Sequence, residues 1–211
     1  MANTNAPFGF RPIGQQEGSA PTAGFETYYL NSSDTNLYFT GDPVMLSTAI
    51  PGFITVPASG STTGQALLGI FVGCKYYTAT VGRTVWNSYF PASVGSSSPC
   101  EAYVITNPQQ LFAVQATSNA IMGTSNINQN IGFNAATSSL GNQTTGQSVV
   151  TLAASTQTAN SSFPFRIVAT STTYAPPGAN GTSTGAEGYQ VMIVRGNNWV
   201  RNGGALTATS T

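Results

Sequence analysis

The sequence predicts an all-β fold: a single β-barrel or sandwich-like domain with an extended N-terminal arm and a polar, charge-free insertion. Three observations predict it. Short runs of β-branched and aromatic residues, broken by Gly, Pro and Asn, recur from end to end. Several of these runs alternate with period two, and none carries a helical stripe. At 211 residues the chain suffices for one domain with a real core, and two would be crowded.

Residues 1–20 read as the arm. "NAPFGFRPIG" (residues 5 to 14) has no strand or helix period. Pro7 and Pro12 each remove a backbone donor and push the preceding residue toward extended geometry. Phe8, Phe10 and Ile13 are then apolar anchors that want a partner surface.

The body is expected over 21–117 and 163–203. Its predicted strands are Phe25 to Leu30, Pro43 to Leu46, Phe53 to Val56, Ala66 to Tyr77, Thr84 to Phe90, Glu101 to Thr106, Leu111 to Ala116, Val149 to Leu152, Phe165 to Thr170 and Tyr189 to Arg195. In "EAYVIT", Ala102, Val104 and Thr106 share one face and Glu101, Tyr103 and Ile105 the other. In "YQVMIVR", Tyr189, Val191, Ile193 and Arg195 share a face. "ALLGIFVGCKYY" is apolar on both faces. With Gly69 and Gly73 inside it, it reads as a central strand that bends or is closely approached by another backbone.

From Ala102 to Phe165 the chain carries no charge. Residues 118–162 are rich in Ser, Thr, Asn, Gln and Gly but keep Ile121, Met122, Ile127, Ile131, Phe133, Leu140, Val149, Val150 and Leu152. Those side chains are too many for a linker. The block reads as an ordered insertion protruding from the barrel and leaning on it. "TTYAPPGANGTSTGAEG" reads as a second exposed excursion, and 204–211 as a flexible tail.

Composition restricts the chemistry. Charged residues make up 6 % of the chain, six of each sign, and histidine is absent; about 25 % charged is ordinary. Solubility therefore rests on uncharged polar groups or on burial in an assembly. With no net charge and no basic run, nucleic acid is not an expected partner. No apolar run approaches the ~18 residues of a membrane span. No secretory signal is expected either, so the sequons at Asn31, Asn142, Asn160 and Asn180 read as chance.

Without imidazole, most triads and metal centres are closed to the chain. Its acids (Glu17, Glu26, Asp34, Asp42, Glu101, Glu187) fall into no ligand spacing and no catalytic pair. The expectation is no catalytic residue, no metal and no cofactor. Asp42 in "TGDPV" reads as a turn residue that opens a strand. Cys74 and Cys100 read as small buried hydrophobes or as a disulfide. "VWNSYF" and "NNWV" read as core aromatics first and as sugar-stacking platforms second.

The order of several segments resembles small proteins encoded among the head genes of tailed, podovirus-type phages. These are "NAPFGFRPIG", "FTGDPVML", "LLGIFVGCKY", "VWNSYFPAS", "LFAVQA", "GFNAATSSLGNQTTGQSVVTL", "FPFRIVA" and "VMIVRGNNW". "TGDPVML" followed by "LLGIFVG" is also similar to lambda-type head decoration proteins. The resemblance implies a non-enzymatic capsid cement or decoration protein. It implies a homotrimer on the capsid outer surface, bound to the major capsid protein, with both cysteines as thiols because such virions assemble in a reducing cytoplasm. Under it, Phe8, Phe10, Arg11, Pro12 and Ile13 form a capsid-binding arm. The alternative is a carbohydrate-binding β module of a phage tail or host-facing spike.

Overall fold

The computed structural model describes residues 5–16, 18, 24–57, 66–95, 100–117, 122–134, 141–171 and 189–203. It is all-β, of the barrel or sandwich type, with only single turns of 3-10 helix among the described residues. One antiparallel sheet has the order β1 (Arg11–Gln15), β10 (Gln110–Gln115), β17 (Val191–Gly196), β16 (Phe165–Thr170), β11 (Asn130–Ile131). The second has the order β2 (Glu26–Leu30), β9 (Cys100–Ile105), β6 (Gly69–Thr78), β4 (Pro43–Leu46), β5 (Ile54–Thr55), and β7 (Arg83–Asn87) also pairs with β6. Three short pairs complete it: β3 (Tyr38–Phe39) with β8 (Tyr89–Phe90), β12 (Phe133–Asn134) with β15 (Thr151–Leu152), and β13 (Gly141–Asn142) with β14 (Gln147–Ser148).

Strand β6 divides two cores, which is why its sequence is apolar on both faces. Ile70 joins Leu67 and Ile105 in the core beneath the five-stranded sheet. Phe71 and Cys74 join Leu30, Val44, Cys100 and Val104 in the other. A methyl group on Gly69 would collide with the Ile105 carbonyl, so only glycine lets β6 and β9 approach this closely. The register slips between Phe71 and Gly73, a bulge that bends the strand where the first core ends.

Alternation places the rest. Met192 and Val194 of β17 point into the first core, while Val191, Ile193 and Arg195 take the opposite face. Ala102 and Val104 of β9 enter the second core. Local side-chain bonds shape the turns: Asn31, Asn142 and Asn160 each accept the backbone N–H two residues on, at 3.0, 2.8 and 3.0 Å. Three of the four sequons are thus Asx-turns. The fourth, Asn180, lies outside the described residues, as do the excursion at 172–188 and the tail at 204–211.

The separate arm is corrected. Phe10 is 1 % exposed and sits in the first core. Its ring stacks on Phe165 at 4.3 Å and meets the edges of Phe112 and Phe133 at 6.3 and 6.4 Å. Its N–H donates to the Gly41 carbonyl at 3.0 Å, and Gly41 takes φ +97°, a conformation that favours glycine. Strand β1 then pairs with β10 at the sheet edge, where Pro12 needs no N–H for the ladder. The segment lacks a local period because its partners are distant in sequence.

The protruding insertion is corrected too. Met122, Ile131, Phe133, Val150, Leu152 and Ala154 are core residues, and β11 is a strand of the five-stranded sheet. The strands here are two residues long, too short to show alternation, and the polar side chains coat loops around them. Residues 118–121 and 135–140 lie outside the description.

Phe10→Ala should therefore cost about 3–5 kcal/mol, as for other large-to-small core changes. Urea unfolding read by tryptophan fluorescence checks this, and removal of residues 1–14 should prevent folding.

Candidate interaction surface

Four of the five residues expected to bind a partner come together. Phe8, Phe10, Arg11 and Pro12 line a groove of about 300 Å³ with Thr40 and Gln147. Phe10 forms its floor and belongs to the core, so it has almost no surface to offer. Arg11 is exposed. Ile13 is the extra residue where the β1 register shifts, and it packs with Phe8 against Ala113 and Val191 on the outer face of the sheet.

A larger surface lies on the second sheet. Beyond the β6 bulge, the face that carried Ile70 and Ile105 emerges into solvent. There, one row across four strands reads Tyr29, Glu101, Lys75, Trp86. Lys75 and Glu101 form an ion pair at 3.4 Å between the two rings. Trp86 is 65 % exposed, Phe25 55 %, Tyr29 48 % and Tyr77 41 %.

Phe25 meets Tyr103 edge-on at 5.0 Å, and Tyr103 shares its row with Thr27 and Gly73. The Trp86 indole lies over Gly73, where a Cβ would stand 3.0 Å from the ring. A side chain at 73 would displace it. Exposed aromatics gathered on one face, rather than scattered singly, make this the candidate interaction surface.

The sequence signal for this face was partial. Tyr77 and Lys75 share parity, as do Thr84 and Trp86, so aromatics and charges alternate onto one side. Trp199, in a similar motif, goes the other way: it is fully buried beside Phe112 and Phe165.

Several other ionisable groups are occupied locally. Glu26 pairs with Arg201 and accepts the Tyr28 hydroxyl at 2.9 Å. Burial raises its pKa, but these partners outweigh burial and leave it below the ordinary value. Asp34 accepts the Tyr38 hydroxyl, whose pKa is raised by burial and then by that carboxylate. Cys74 and Cys100 are buried free thiols, and burial pushes both pKa values up. Among the described residues, no three His, Cys, Asp or Glu side chains group as metal ligands.

Asp42 is the unusual acid. It closes the turn before β4 as expected, with Oδ2 accepting the Phe39 N–H at 2.7 Å. It is also completely buried. Burial raises its pKa to about 7, although the Ser148 hydroxyl and the Phe39 amide favour the anion.

Comparison of the chain with protein-family models, with curated proteins and with solved structures gave no match.

The raised Asp42 pKa has a definite sign. In the unfolded chain this carboxyl titrates near 3.8, so the folded state holds the proton more tightly. Its contribution is most favourable below pH 4, falls as pH rises to about 7, and levels off above. Asp42→Asn keeps a carbonyl for the Phe39 amide and cannot ionise. The difference in melting temperature between Asp42→Asn and wild type should grow in favour of the variant from pH 4 to 8. A pH-independent difference would contradict it.

Proposed function

We propose that this chain is a non-catalytic structural protein of a tailed-phage head. In this reading it is a cement or decoration protein on the capsid outer surface, bridging neighbouring major capsid subunits, and it acts as a homotrimer. The order of sequence segments supports the phage-head assignment. The observation that carries the docking role is the exposed row from Tyr29 to Trp86, with Phe25 and Tyr77 beside it. Trp and Tyr are the residue types that most often anchor protein interfaces, because each buries a large rigid surface for few rotatable bonds.

A rigid β scaffold suits stapling. Its aromatic face needs no ordering on contact, and three copies around a threefold site multiply a modest single-site affinity. The scarcity of charge fits a protein whose surface is covered by neighbours in a particle. Arg11 and Pro12, at the open side of the 300 Å³ groove, give a second contact to the same shell.

One observation favours carbohydrate as a second reading. The Lys75–Glu101 pair sits between two exposed rings, so hydrogen-bonding groups and stacking faces lie side by side, as a neutral sugar requires.

Copy number separates the two readings. Mass spectrometry of purified virions should find the protein in fixed ratio to the major capsid protein. Trp86→Ala should leave the melting temperature nearly unchanged, since the ring is mostly exposed, and weaken binding to protein-stripped capsids by about 2 kcal/mol or more. Binding on a glycan array that Trp86→Ala abolishes, with no protein in virion heads, would replace the capsid reading by the carbohydrate one.

A further inference from the structure

Three of the six cationic side chains stand on the outer face of the five-stranded sheet, although they are scattered through the sequence: Arg11 in β1, Arg166 in β16 and Arg195 in β17. Strand register brings them together. One row crosses all five strands as Gly14, Leu111, Arg195, Arg166, Asn130. The next reads Arg11, Ala113, Ile193, Ala169. Arg166 and Arg195 are therefore direct cross-strand neighbours, and Arg11 lies two strands and one row away, roughly 12 Å by ordinary sheet spacings.

Like charges placed directly opposite each other destabilise a strand pair. Here none of the described carboxylates relieves them. Glu26 and Glu101 pair with Arg201 and Lys75, Asp34 holds Tyr38, and Asp42 is buried. Instead the two guanidiniums are held by neutral amides. Arg166 Nε donates to Asn130 Oδ1 at 3.0 Å, and Asn130, only 2 % exposed, is itself fixed by donating to the Asn160 carbonyl at 3.0 Å. Arg195 Nη1 donates to Gln109 Oε1 at 3.1 Å. Each bond uses one edge of a guanidinium and leaves further N–H donors for a ligand.

An unfavourable charge pair that the fold nevertheless orders with a buried amide is a mark of function. We propose that this face binds a partner protein through a carboxylate side chain that bridges Arg166 and Arg195. Leu111, Ile193 and Ala169 cover the apolar surface around it, and Arg11 meets a second acid. A carboxylate matches the planar guanidinium fork, and arginine is enriched at protein interfaces relative to the rest of the surface. Nucleic acid fits less well: three cations release few counterions, and the exposed aromatic row that could stack bases lies on the other sheet, with only the half-buried Phe8 on this face. The proposal rests on sheet register and is independent of the capsid reading.

The test uses labelled poly-L-glutamate as the acidic polypeptide and oligo-dT of equal charge as its rival, titrated by fluorescence anisotropy at low ionic strength. The full-length protein should bind poly-L-glutamate more tightly than oligo-dT. Arg166→Gln and Arg195→Gln should each weaken that binding roughly tenfold, the order expected for losing a charge-assisted hydrogen bond. Arg195→Gln, whose amide partner Gln109 is exposed, should also raise the melting temperature by removing the repulsion, whereas Arg166→Gln also strips buried Asn130 of its donor. Arg83→Gln, at the exposed start of β7, should change neither. The proposal is overturned if wild type does not bind poly-L-glutamate, if Arg83→Gln weakens binding as much as the other two, or if both variants bind as wild type. Tighter binding of oligo-dT through Arg166 and Arg195 would also overturn it, in favour of a nucleic-acid face.

Discussion

Five aromatic rings hold the fold together. Phe10, Phe112, Phe133, Phe165 and Trp199 come from five separate stretches of chain, and their stacked and edge-on contacts close a continuous cluster. Each ring buries a large apolar area, and the edge-to-face geometry adds to that burial. Because the cluster joins residue 10 to residue 199, the five-stranded sheet is closed from both ends of the chain. Everything on its outer face, including the three arginines, inherits its position from this packing.

The second constraint is the close approach at Gly69 and the bulge that follows. A flat β6 would bury both faces along its whole length. The slip between Phe71 and Gly73 turns its far half out, so one strand contributes first to a core and then to a solvent-facing aromatic row. The exposed aromatic face is thus a continuation of a core face past the point where its cover stops. That origin explains its richness in aromatic residues.

Sheet-forming segments long enough to alternate were legible in the sequence except β1, where Pro12 and the bulge at Ile13 break the alternation. Pro43 to Leu46 and Phe165 to Thr170 match the observed strands residue for residue. The two-residue strands of the uncharged block were not legible, because alternation needs length. Phe10 was not legible because its local setting, between Gly9 and Arg11-Pro12, looks like a loop, and its burial depends on partners far along the chain. The candidate surface was half visible: sequence marked both "VWNSYF" and "NNWV" as aromatic motifs, but only tertiary packing sends Trp199 inward and Trp86 outward. The arginine cluster was invisible, since it exists only through strand register.

The aromatic cluster also dictates when in its life the chain can become a folded protein. A growing chain made from its N-terminus exposes Phe10 early, yet its stacking partner Phe165 and the capping Trp199 arrive only as synthesis nears residue 200. Contacts this distant in sequence make folding slow, and apolar segments that wait for partners are open to aggregation. The polar, nearly uncharged loops between the strands offer the waiting chain hydrogen-bonding groups to water in place of electrostatic repulsion. The richness in Ser, Thr, Asn and Gln, densest over 118–162, is thereby as much a feature of the nascent chain as of the finished surface.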